Sequence, residues 1–126
     1  MNFLYKQQGH ELIGAAMEVY NEMGAGFLEE VYQECLETEL TSRQLPFVSQ
    51  TPLELYFKGK KMKKRYKPDL FAFDLIVVEL KAVKNLTGVD EAQLVNYLKG
   101  SRKLVGYLFN FGYPGKLQWK RMIYSS

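Results

Sequence analysis

At 126 residues the chain is long enough for one domain that buries about two thirds of the surface its unfolded form would expose. An apolar share of 47%, with 8 Phe and 9 Tyr, excludes a disordered composition, and the one cysteine, Cys35, excludes an internal disulfide, a cysteine-built zinc site and a multi-cysteine iron–sulfur cluster. The net charge of +3 conceals a concentration: Lys58, Lys60, Lys61, Lys63, Lys64, Arg65 and Lys67 crowd into one short stretch, and outside it the balance turns acidic.

No apolar run reaches the length that spans a membrane, and Met1-Asn2-Phe3-Leu4-Tyr5-Lys6 lacks the apolar core of a signal peptide, so a cytoplasmic location with no membrane partner is expected. Leu12, Ile13, Ala16, Val19, Tyr20 and Met23 recur at helical spacing and predict a helix from Gln7 to Met23, stopped by Gly24-Ala25-Gly26. A second helix is predicted from Phe27 to Arg43, with Leu28, Val31, Tyr32, Cys35, Leu36 and Leu40 on one face. Glu29 lies at the edge of that face. Like Glu30, Glu34 and Glu37, it reads from residue type alone as part of a solvated surface.

Pro46 and Pro52 frame a change to strands. Leu53, Leu55 and Phe57 alternate with Glu54 and Tyr56, as in a half-buried strand, and Lys58-Gly59-Lys60 turns it into a second strand that carries the basic run. The seven cations are either a phosphate-tracking surface or a solvated edge that resists aggregation. Leu70 to Phe73 predicts a short strand, Phe73-Asp74-Leu75 a tight connection, and Ile76 to Lys81 the strand that returns.

After Lys81, a loop with Asn85 and Gly88 precedes a helix from Asp90, as N-cap, to Leu98, closed by Gly100. Leu94, Val95 and Leu98 mark its buried side, while Gln93 and Tyr97 share another stripe. The run Leu104 to Phe111 predicts a strand buried on both faces, and Leu117, Trp119 and Ile123 a last strand at a sheet edge. The reading is an α/β domain over residues 1–126 with a central mixed β-sheet flanked by helices, in the order α-α-β-β-β-α-β-β, with three or four strands before the third helix.

The chemistry concentrates in Tyr66-Lys67-Pro68-Asp69 and in the strand ending Glu79-Leu80-Lys81. Alternation puts Val77, Glu79 and Lys81 on one strand face, and a hairpin centred on Asp74 sets Asp69 opposite Glu79, with Cβ atoms about 5 Å apart. Two carboxylates that close repel each other unless something neutralises them, and a bound divalent cation would do so. His10 has no serine or cysteine partner placed by sequence, and Cys35 falls on a buried helix face.

These blocks resemble a known family. Pro68-Asp69, followed ten positions later by Glu79-Leu80-Lys81, looks like the PD-(D/E)xK signature of the restriction-endonuclease-like nucleases. Gly26-Phe27-Leu28-Glu29-Glu30-Val31-Tyr32 fits the GxxExxY motif of one small bacterial family within that superfamily. Tyr66, Val78 to Val83, Ala92-Gln93-Leu94, Asn96-Tyr97-Leu98 and Asn110-Phe111-Gly112 resemble its further blocks, in order. Tyr20 and Asp90 stand where the family often has histidine, and Gly24-Ala25-Gly26 replaces a commoner Gly-Pro-Gly.

The resemblance implies a restriction-endonuclease-like fold and a metal-dependent nuclease acting on DNA. Asp69, Glu79 and the Leu80 backbone carbonyl would hold Mg²⁺ or Mn²⁺, and Lys81 would assist the attacking water. By the same resemblance Glu29 would reach the metal directly or through water, Gln93 would orient Lys81 or the scissile phosphate, and Tyr32 and Tyr97 would support them. A homodimer is compatible with so short a chain. The alternative is a nucleic-acid-binding or protein-interaction module that keeps the fold without the reaction.

Overall fold

The computed structural model describes residues 3–125, so the opening stretch expected to lack a signal sequence is described only from Phe3. Two helices, α1 (Lys6–Met23) and α2 (Glu29–Ser42), come first, followed by β1 (Phe47–Ser49), β2 (Leu53–Phe57), β3 (Lys60–Tyr66), β4 (Leu70–Ala72) and β5 (Ile76–Lys81). Helix α3 (Gly88–Ser101), β6 (Val105–Asn110) and β7 (Gln118–Ile123) complete the chain. A mixed sheet runs in the order β1-β4-β5-β6-β7, and β2 and β3 form a separate hairpin. Among the described residues only β5 and β6 pair in parallel, with α3 as the crossover between them.

Alternation along the central strands divides the core. Ile76, Val78 and Leu80 of β5 and Val105, Tyr107 and Phe109 of β6 pack with Leu12, Ala16, Val19, Tyr32, Leu36 and Leu40 from α1 and α2. On the other face, Val77 and Leu108 pack with Leu94 and Leu98 of α3 and with Tyr66 of the hairpin. The sheet is thus covered on both sides, which is why β6 is buried along its whole length. The last strand, β7, lies half exposed at the sheet edge as its sequence predicts. No helix among the described residues is long and apolar enough to cross a membrane.

The predicted register of the central hairpin holds: Leu70 faces Val78, Phe71 faces Val77 and Ala72 faces Ile76. Phe73 and Asp74 both take positive φ (58° and 60°), and Leu75 N–H donates to the Ala72 carbonyl at 3.0 Å. The expected segmentation differs in three places. Five strands precede α3, because Phe47–Ser49 pairs with β4 as an added edge strand. Helix α2 begins at Glu29, leaving Phe27 and Leu28 exposed ahead of it.

The third difference lies in α3, which starts earlier and ends later than its sequence suggests. Thr87, not Asp90, is its N-cap; Asp90 is the reciprocal acid of a capping box, its carboxylate accepting from Thr87 N–H at 2.9 Å. Gly100 does not close the helix, which continues to Ser101 and turns at Arg102 with φ 60°. A side chain at position 100 would meet Leu55 Cδ2 at 3.0 Å, so this glycine admits the hairpin instead.

Candidate functional site

Glu79 and Lys81 project from the carboxyl-terminal end of β5, on the face that α3 and the hairpin cover. They line a cleft of about 300 Å³ together with Arg65, Tyr66, Lys67, Asp90, Gln93 and Tyr97. Asp69, just before β4, is fixed by its own contacts: Oδ2 accepts Leu80 N–H at 2.8 Å, so the carboxylate is tied to the backbone between Glu79 and Lys81. Its carbonyl accepts from Gln33 Nε2 at 2.9 Å and from Gln50 N–H at 3.2 Å. The aspartate that the hairpin register sets opposite Glu79 is therefore held from both helix and sheet.

Glu79 is a perturbed acid. Burial, reinforced by the Asp69 carboxylate, pushes its pKa up to about 8, against the opposing pull of the Tyr66 hydroxyl and the Lys81 ammonium. Tyr66 donates a short hydrogen bond to Glu79 Oε2, and its ring stacks on Tyr97 with centroids 3.9 Å apart and planes 5° from parallel. Burial, with Glu79 next, raises the Tyr66 phenol well above its ordinary value, so it stays a donor. Sequence reasoning gave Tyr97 a supporting role, and placed Tyr66 beside Asp69 without assigning it one. The available signal was a lone aromatic, buried here, inside an otherwise exposed run of cations.

Glu29 is brought near but not into the same group. It opens α2, where its charge suits the helix N-terminus, and it lines a separate hollow with Gln33, Gln50 and Asp69. Its pKa is raised by partial burial first and by Asp69 next, with Lys81 pulling it down, so all three feel one another. Among the described residues no three His, Cys, Asp or Glu side chains are grouped to hold an ion. Tyr32 is buried and stacked on Phe111 at 4.7 Å; its hydroxyl donates to the Gly24 carbonyl and accepts from Phe27 N–H, fixing the loop that leads to Glu29.

The basic run divides. Arg65 and Lys67 line the cleft, Lys58 lies at the hairpin tip, and Lys61 approaches Glu54 at 3.9 Å. All seven are exposed, and with Lys58 at one end of the hairpin and Arg65 and Lys67 at the other they are spread along its length.

A further set of contacts holds the loop between Lys81 and α3. Fully buried Asn110 accepts Val83 N–H at 2.9 Å and Gly112 N–H at 3.0 Å, and donates to Gln118 Oε1 at 2.9 Å. Gln118 in turn accepts Leu86 N–H at 2.9 Å and donates to Asn85 at 2.7 Å. Gly112 approaches so closely that a Cβ would lie 2.5 Å from Val83 N.

A family model described as the PD-(D/E)XK nuclease superfamily matches residues 6–122. The chain belongs to that superfamily. No curated protein matches the sequence significantly. Among solved structures, the one described as "Crystal structure of SSO0001" superposes with a TM-score of 0.57 at 18% identity, over 97% of this chain. This chain spans 58% of that one's length, and the likeness is one of fold. Pro68-Asp69 and Glu79-Leu80-Lys81, the residues in which the sequence resembles the superfamily's Pro-Asp and Glu-x-Lys elements, lie at the end of the central hairpin.

The donor chemistry here suits a hard cation. Two carboxylates and the Leu80 carbonyl are oxygen donors, which fits an ion such as Mg²⁺ that keeps several waters, and suits zinc poorly, since zinc favours nitrogen and sulfur. The raised pKa of Glu79 comes first from burial and then from the Asp69 carboxylate, and a cation between the two acids would act in the opposite direction.

Proposed function

We propose that this chain is a metal-dependent nuclease that hydrolyses DNA phosphodiester bonds, of the GxxExxY kind within its superfamily. One observation carries the reading: Glu79 and Lys81 stand side by side in the cleft, with the Asp69 carboxylate anchored on the backbone amide between them. Asp69, Glu79 and the Leu80 carbonyl would hold Mg²⁺ or Mn²⁺. When bound, such a cation neutralises charge developing on the phosphate and makes a coordinated water more acidic.

The side chains supply the rest. Lys81 places a positive charge beside both acids, where it positions the attacking water and stabilises the crowded phosphate. Gln93, exposed at the cleft rim, offers an amide to the scissile phosphate or to Lys81. Glu29 acts through water from the far side of Asp69. Tyr97 braces Tyr66, which orients Glu79 by its hydroxyl. Arg65 and Lys67 receive the flanking phosphates.

The test is cleavage of single-stranded and duplex DNA in Mg²⁺, Mn²⁺ or EDTA by the parent protein, Asp69→Asn and Lys81→Ala. Expected is metal-dependent cleavage that falls about 10²–10⁴-fold in each variant. Equal cleavage by parent and variants would sink the assignment. A second reading, a binding module without catalysis, is favoured by the lack of a grouped third acid among the described residues. It predicts binding, unchanged in both variants, with no cleavage.

A further inference from the structure

At the opposite end of the hairpin from the cleft lies a second recess, of about 670 Å³, between the hairpin tip and the last turn of α3. Lys58, Lys99, Arg102 and Lys103 line it and no acid does, with the Lys58 ammonium 5.5 Å from the Phe57 ring centroid and that of Lys103 5.2 Å from the Phe71 centroid at its margins. The ion pairs among the described residues, Arg43 with Glu39 and Lys61 with Glu54, leave these four cations unneutralised. Four like charges around one concavity repel each other, and an anion would remove that cost.

The walls are not merely basic. Tyr56 and Tyr124 contribute rings and Leu104, 42% exposed, contributes an apolar floor. The Arg102 guanidinium carbon lies over the Tyr56 ring, 4.0 Å from its centroid, so a cation and an aromatic ring already meet at this wall. Cations beside planar and apolar groups, in a recess of the size that takes an organic ligand, suit a base and its phosphate together. A duplex, whose bases are stacked inside, would use the charges and leave the apolar floor empty.

Position supplies the remaining link. Gln93, Asn96 and Lys99 are exposed in succession along α3 from cleft to recess, beside Tyr97 and Gly100, which pack on the hairpin. With a rise of 1.5 Å per residue, Arg102 lies about 13 Å along the axis from Gln93. That span is about four stacked nucleotides at 3.4 Å each.

The geometry points to this recess as a binding site for single-stranded nucleic acid, holding a nucleotide about four positions from the phosphate in the cleft. The inference rests on the nuclease reading only for the direction of the strand. Tyr124 and the Arg102–Tyr56 pair stack the base, and Lys58, Lys99 and Lys103 meet the phosphates.

Fluorescence anisotropy in EDTA, where cleavage does not intervene, tests it with twelve-nucleotide single strands of DNA and of RNA and with a duplex. Parent protein is compared with Lys99→Gln/Arg102→Gln, with Lys99→Arg/Arg102→Lys and with Tyr124→Ala. The neutral double variant is expected to lose tenfold or more in single-strand affinity and to flatten the salt slope by about 1.4, from 0.7 per lost contact. The charge-conserving pair is expected to keep the parent slope, and Tyr124→Ala to weaken the single strand and not the duplex. The site's charges and rings fit either sugar, and whichever strand binds tighter names the source. Unchanged affinity and slope in the neutral variant, or no single-strand binding by the parent, overturns the inference. Binding lost in that variant by a protein that never cleaves would keep the recess and discard the nuclease; cleavage with unaltered binding would do the reverse.

Discussion

Glu79 is the residue where physics and chemistry meet most openly. Its carboxyl is ionised near pH 4.5 in an unfolded chain and near pH 8 in the fold. An acid whose folded pKa is raised lends stability at pH values below its unfolded pKa, and that contribution is lost as pH rises through the folded one. In EDTA the protein is therefore expected to lose on the order of a few kcal/mol between pH 5 and 8, and Glu79→Gln to flatten the profile. Urea unfolding at stepped pH checks this; a wild-type profile that rises over the same window would contradict it. Glu79 and Lys81 were legible in the sequence because a strand that breaks its apolar pattern with an acid and a base calls for a reason. Tyr66 was not: a ring's hydrogen bond to a residue 13 positions away depends on hairpin packing that no local pattern records.

Among the elements, the central hairpin and the doubly buried β6 were legible because alternation and a continuous apolar run carry directly into strand faces. Strand β1 was not, since three residues between prolines hold no period, and its pairing with β4 is decided by the rest of the sheet. The early start of α3 turned on Thr87 and Asp90, whose reciprocal bonds move the cap three residues ahead of the acid. The loop before that helix hangs on Asn110, Gln118 and Gly112. Gly112→Ala forces a methyl against Val83 and Ala82 backbone and is expected to destabilise by about 1–3 kcal/mol. It should also lower cleavage beyond that cost, because the loop joins Lys81 to the helix of Gln93. Chemical unfolding beside single-turnover cleavage separates the two effects; wild-type stability would refute the close approach.

For the whole molecule, the sheet lies between two helices on one side and a helix with a detached hairpin on the other. That arrangement turns the seven-cation run from one surface into parts of several, which the sequence, read as a line of charge, could not reveal. It also places both carboxylates where water is partly excluded, so metal affinity is coupled to protonation. The most direct measurement is calorimetric titration of Mg²⁺ at pH 7 in buffers of different ionisation enthalpy, which counts protons released on binding. With Glu79 near pKa 8, close to one proton is expected to leave per ion bound by the parent protein. In Glu79→Gln, weakened binding with almost no proton released is expected. Tight binding without proton release, or binding that is indifferent to Glu79, would contradict the claim that Asp69 and Glu79 hold the cation.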